Sequence, residues 1–228
     1  WAARKVAEKA IERWMDMGRD PEQLMKWLPF AHNAYRDDRG WVGSGLHAAI
    51  DADCKGEWFV HELNDEQKAM FAQWEHAKAA LMIRVRLSEF TVRIGDTMGT
   101  ADLLIDISED FGDTWETLIV DSKSSRSIWP EHKMQLGILS KATHYFEKVP
   151  EGTPGAALHK YADPETKKQV KTYWLKKPMP HFDGAAILHI REDSWELIRV
   201  NNLDLHAKRF SIYRQDWDLK KELKDLGD

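Results

Sequence analysis

The stretch Glu89-Phe-Thr-Val-Arg-Ile-Gly-Asp-Thr-Met-Gly-Thr-Ala-Asp-Leu-Leu-Ile-Asp-Ile107, followed by Thr117-Leu-Ile-Val-Asp-Ser-Lys123, decides how this chain folds. Glu89 to Ile94 alternates and is rich in β-formers, Gly95-Asp96 and Met98-Gly99 read as a turn, and Thr100 to Ile107 is the next strand. Asp110 to Asp113, with Gly112 inside, is a second turn before the apolar run Thr117 to Val120. The three runs predict a meander in which Asp102 and Asp121 approach across adjacent strands.

Outward from this unit, helical periods dominate. Ala2 to Met17 is amphipathic, with Val6, Ala10, Ile11 and Trp14 on one face, and Asp20-Pro21 starts a short helix that Pro29 ends. Tyr35 to Gly45 reads as a polar, glycine-containing loop and Leu46 to Asp53 as a brief helix. Asp65 is expected to cap a long helix to about Leu87, with Met70, Phe71, Trp74, Ala77, Leu81 and Val85 at helical spacing. Beyond the meander, the pattern predicts a helix from about Pro130 to Lys148. It then predicts a hairpin of strands near 183–190 and 195–200 and a charged helix near 203–226. The expected fold class is α/β: a central mixed β-sheet flanked by helices, with a helical N-terminal layer. One domain divides into that layer (1–88), a core (89–148), a loop-rich insertion (149–180), and a hairpin with the C-terminal helix (181–228).

Composition bounds the setting. At 228 residues the chain can bury a sizeable core, and its single cysteine, Cys54, excludes an intrachain disulfide. No stretch approaches a membrane span and no charged-then-apolar leader opens the sequence, so a cytoplasmic location is expected. Most of the eleven tryptophans, Trp14, Trp27 and Trp195 among them, lie where apolar periodicity predicts packing. The formal net charge of −5 runs against the usual basic character of DNA-binding proteins. A metal site concentrates carboxylates, however, and the cation inverts the local sign. Lys160, Lys167, Lys168, Lys171, Lys176 and Lys177 are also interleaved with Tyr161, Tyr173 and Trp174, a pattern that can track and stack a single strand. The competing reading of that segment is a solvated hairpin or loop with lysines on its open face.

An acid two positions before a lysine occurs seven times, starting at Asp53, Glu66, Asp121, Glu131, Glu165, Asp218 and Glu222. Four of these fall in polar helical stretches, Glu165 in a lysine-rich loop and Asp53 beside a glycine turn. Only Asp121 follows an apolar strand, where an unsolvated charge costs several kcal/mol unless it is paired or metal-bound. Mg²⁺ and Mn²⁺ favour carboxylates, backbone carbonyls and water, which Asp102, Asp121 and the Ser122 carbonyl would supply. Lys123 then sits where it can hold the attacking water and offset charge in phosphodiester hydrolysis. The plainer readings are a turn aspartate at 102 and a surface ion pair between Asp121 and Lys123. Ser124, Ser125 and Arg126 follow in a loop suited to phosphate contacts.

At these residues the chain resembles the P-D-(D/E)-X-K nuclease superfamily, and within it the RecB-like and phage-exonuclease branch. Gly43-Ser-Gly-Leu-His47 is similar to the branch's Gly-x-x-x-His element, Gly99-Thr-Ala-Asp102 to its G-x-x-D strand, and Asp121-Ser-Lys123 to its D-x-K. Ile128 to Leu136 resembles the helix carrying its glutamine, here Gln135, and Pro178 to Ile190 a strand of actinobacteriophage members. The likeness covers about residues 41 to 200. It implies a restriction-endonuclease-like core and a Mg²⁺- or Mn²⁺-dependent DNA exonuclease of recombination, repair or phage replication. The implied metal ligands are His47, Asp102, Asp121 and Ser122, and the implied catalytic residues Asp102, Asp121, Lys123 and Gln135. Without the resemblance His47 reads as a surface helix residue and Gln135 as a solvated one; Glu89, at the start of its strand, is not expected to ligate. The implied partner is DNA, with no membrane, and with homo-oligomers or a recombination protein among the assemblies; the location is the host cytoplasm if the gene is a phage's. Two departures stand out. Leu139 occupies the place of a tyrosine that often follows the glutamine, and one cysteine cannot hold the iron-sulfur cluster of some relatives. The rival expectations are an endonuclease on the same fold and a non-catalytic DNA-binding recombination accessory protein.

Overall fold

In a computed structural model, which describes residues 2–59, 61–95, 97–162 and 168–226, the meander forms from β1 (Arg84–Ile94), β2 (Thr97–Ile107) and β3 (Glu116–Lys123). Ile94 pairs with Thr97, so the β1–β2 turn is two residues long and Met98 and Gly99 already belong to β2. Gly95 there has φ 58°, the left-handed conformation such turns require. Asp96, Glu165 and Lys167, and the side chains of Val6 and Tyr161, lie outside the described residues.

The other strands, β4 (His144–Val149) among them, extend the meander into one mixed sheet of eight, ordered β5-β6-β4-β1-β2-β3-β7-β8. β7 (Gly184–Ile190) lies parallel to β3, with Asp121 opposite Ile187, and β8 (Trp195–Arg199) closes that side as the expected hairpin. The region read as a loop-rich insertion is instead β5 (Ala157–Ala162) and β6 (Gln169–Pro178), the far edge of the sheet. Lys160 stands opposite Lys171 in this hairpin, Tyr173 donates to Glu151, and Lys177 pairs with Glu147 on β4. Lysines on an edge strand discourage pairing with another chain, in keeping with the solvated-hairpin reading.

Helices cover both faces. On one, α3 (Ala31–Lys55) and α4 (Asp65–Ala80) pack Val42, Leu46, Ile50, Met70 and Trp74 against Leu103, Ile105, Val120 and Leu188. On the other, α5 (Pro130–Leu139) brings Leu136 and Leu139 onto Leu104, Ile119 and Ile187, with Leu203 of α6 (Leu203–Leu226) beside them. The N-terminal layer is α1 (Ala2–Asp16), which packs on α3, and α2 (Pro21–Trp27), capped by Asp20. Among the described residues no helix is long and apolar enough to cross a membrane.

Three boundaries differ from expectation. The polar loop at 35–45 and the short helix after it are one helix, α3, because Gly43 and Gly45 serve close packing. A Cβ on Gly43 would meet Ser124 Oγ at 3.4 Å, and one on Gly45 would lie 2.1 Å from Gln67 Nε2. The helix expected to reach Leu87 is capped by Asn64, not Asp65, in a box with Gln67, and ends at Ala80. Val85 and Leu87 face opposite sides as strand residues; the helical spacing of Val85 to Leu81 is coincidental. The helix expected to reach Lys148 stops at Leu139, and His144–Val149 forms β4, where Tyr145 pairs with Val92 and packs edge-on to Phe90. The tryptophans are also less central than expected: Trp74 is fully buried, Trp14, Trp27 and Trp195 are half-buried, and Trp41, Trp58, Trp129 and Trp217 are exposed.

Candidate metal centre

The site lies where β1 and β2 rotate together. Leu103, Ile105 and Ile107 face α3 and α4, yet Ala101, two positions before Leu103, faces α5. In β1 the pairing passes from Ser88 opposite Leu103 to Phe90 opposite Ala101, and Phe90 also faces α5. The residues at the intervening rung are Glu89 and Asp102. Glu89 takes up the rotation with φ 45°, a conformation that strains a non-glycine side chain and is concentrated at functional sites.

The rotation delivers both carboxylates to His47 on α3. His47 Nδ1 lies 3.4 Å from Asp102 Oδ2 and 3.7 Å from Glu89 Oε1, and one ligand atom from each residue falls within 4.8 Å of the others. Two atoms bound to one cation at about 2.1–2.5 Å are at most about 5 Å apart, so the spacing suits a shared divalent ion. Asp102 is held by Ser122, whose backbone N–H and Oγ donate to Oδ2 at 2.7 and 3.0 Å. Burial opposes protonation of His47, but Glu89 and Asp102 outweigh it and raise its pKa.

Asp121 stands at the rung after Leu103 opposite Val120, which makes Asp102 its cross-strand neighbour. Only 1 % exposed, it has Lys123 Nζ 2.7 Å from Oδ2, yet neither oxygen accepts a hydrogen bond of normal geometry. Burial first, and the Asp102 charge second, push its pKa up to about 6 against the pull of Lys123. A buried carboxylate with one ammonium partner, beside a carboxylate–imidazole trio, is a donor set that suits a hard divalent cation.

Of the residues singled out in the sequence, His47, Asp102, Lys123, Ser124 and Ser125 line one cavity, and Asp121 borders it through Lys123. Ser122 contributes its side chain and N–H, which fasten Asp102. Gln135 lines a different cavity, with Gly99, Thr100, Phe210 and Tyr213, and no hydrogen bond joins it to Lys123 among the described residues. The α5 side chain whose charge interacts with Lys123 is His132, one turn earlier; burial and then Lys123 lower its pKa. Glu89 is the ligand candidate that sequence reasoning missed. Counting back from a two-residue turn at Gly95-Asp96 sets Glu89 opposite Asp102, so the signal was there; reading Met98-Gly99 as part of the turn hid it. Of the other acid-x-Lys sequences among the described residues, Asp53 lies within α3, where it accepts from Trp74 Nε1 at 2.8 Å and pairs with Lys78. Glu66 pairs with Arg39. No known protein-family model matches this chain, and no curated protein is significantly similar to it.

Proposed function

We propose that this chain is a Mg²⁺- or Mn²⁺-dependent deoxyribonuclease of the P-D-(D/E)-X-K type, acting from DNA ends. The observation that carries the reading is Lys123 against the buried, hydrogen-bond-poor Asp121, one strand away from Asp102 and its His47–Glu89 cluster. A three-stranded meander followed by a helix and a strand parallel to β3 agrees with a restriction-endonuclease-like core. His47, Glu89 and Asp102 would hold the cation, with Asp121 at its border. When bound, the ion supplies Lewis-acid activation of water and neutralises phosphate charge. Lys123 is placed to hydrogen-bond the attacking water or a non-bridging phosphate oxygen, and its charge offsets that of the pentacovalent transition state. Ser122 keeps the Asp102 carboxylate oriented.

The test is a time course on end-labelled linear DNA and on closed circular DNA, with Mn²⁺, Mg²⁺ or EDTA. The reading expects metal-dependent loss of the linear substrate and an untouched circle. Cutting of the circle would assign an endonuclease. Lys123→Ala and Asp102→Ala proteins should retain their fold and lose activity by at least about 10²-fold, the scale of a lost transition-state contact. Metal-independent DNA binding without products would leave only an accessory role.

A further inference from the structure

The cavity that holds His47, Glu89, Asp102 and Lys123 does not end at those groups. Its volume is about 900 Å³, and through Arg39, Ser124 and Ser125 it continues into a second cavity of about 860 Å³ lined by Arg126, Trp129 and Arg191. The two form one trough. Its connecting floor, residues 124–127, is fastened to the sheet from below: His189 Nε2 donates to the Ser125 carbonyl at 2.6 Å and Arg191 to the Arg126 carbonyl at 3.2 Å.

Trp129, the residue that precedes the first turn of α5, is 57 % exposed in this trough. An indole left in water beside a fastened, arginine-bearing loop offers a stacking face, and stacking does not depend on base identity. The charge pattern narrows the occupant further. Glu66, Glu192 and Asp193 also line the second cavity, Glu66 is already paired with Arg39, and the chain carries a net charge of −5. That is poorly suited to a duplex footprint of some 6–10 phosphate contacts, and better suited to one strand gripped by stacking and a few cations.

We propose that the trough takes a single-stranded DNA end, with one base stacked on Trp129 and the adjoining phosphates led past Arg126, Ser125 and Ser124 toward Asp102 and Lys123. The inference rests on the nuclease reading, which needs a strand to enter, and names the kind of strand. It is tested by binding rather than by cutting: fluorescence anisotropy of a short labelled oligothymidylate with the full chain in EDTA, against a blunt duplex of equal length. The single strand should bind more tightly. Trp129→Ala should weaken it by roughly 5- to 150-fold, which corresponds to about 1–3 kcal/mol per stacked base. Trp129→Phe should restore most of the loss. Trp58→Ala, at a tryptophan 94 % exposed and outside the trough, should change nothing. Equal binding by Trp129→Ala and the parent, or a duplex bound as tightly as the single strand, overturns the proposal. Metal-dependent cutting with Trp129-independent binding removes this inference and spares the nuclease reading; Trp129-dependent binding without metal-dependent products does the reverse.

Discussion

Asp121 is buried in the sheet with Lys123 as its ion-pair partner, and its titration gives the first of three predictions that rest on single side chains. A carboxylate whose folded pKa lies above its unfolded one stabilises the fold fully at pH below about 4. That contribution is lost as pH rises through about 6. Without metal, Asp121→Asn should therefore melt several degrees higher than the parent near pH 8, reflecting roughly 2–3 kcal/mol, with the difference gone near pH 4. A pH-independent difference in melting temperature would count against this account of Asp121. Glu89→Gln should weaken Mn²⁺ binding, measured by titration calorimetry, by at least about tenfold; unchanged affinity would remove Glu89 from the ligand set. Cys54, half-buried beside Asp53 and Asp51, has its thiol pushed up to about 12, by burial first and the two carboxylates second. Its alkylation by iodoacetamide at pH 8 should be far slower in the folded chain than after urea unfolding.

At the scale of elements, close approach explains where glycines sit. Gly137 on α5 faces the start of α6, where an added Cβ would lie 2.6–2.8 Å from the Cβ and carbonyl carbon of His206 and the backbone nitrogen of Ala207. These atoms belong to the frame of α6 and cannot swing aside. Gly137→Ala should destabilise the chain by about 1–3 kcal/mol despite the better helix propensity of alanine, seen as a melting temperature lower by roughly 2–12 °C. An unchanged or higher melting temperature would mean that α5 and α6 separate easily. The same logic explains why α3 was illegible: three glycines between Arg39 and Leu46 each weaken a helix by about 1 kcal/mol relative to alanine, and only packing against Ser124 and Gln67 shows what Gly43 and Gly45 are for. β4, β5 and β6 were missed for another reason. They are polar strands on the edge side of the sheet: β4 pairs with β1, far back along the chain, and the β5–β6 hairpin shows little apolar alternation, so local period carries little of that information. The meander, the β7–β8 hairpin and α6 were legible because turn signals and apolar periods coincide there.

For the whole molecule, the clustered acids predict that the fold is most strained without a cation. At a Mn²⁺ concentration of one hundred times its dissociation constant, binding to the folded state alone adds about 2.7 kcal/mol, or roughly 5–11 °C in melting temperature. Ca²⁺-, Mg²⁺- and Mn²⁺-dependent melting curves compared with EDTA would check this, and no shift with any of them would leave the His47–Glu89–Asp102 cluster without its ion. The amino-acid sequence determined the α/β class, the meander and the acid–lysine pair at the end of β3, because those depend on local period and on residues close along the chain. Only tertiary structure decided that Glu89 joins His47 and Asp102, that Gln135 lies in another cavity, and that Trp129 stands open beside the site. Each of these depends on how two strands rotate and where helices dock on the sheet, which is set by packing between distant segments.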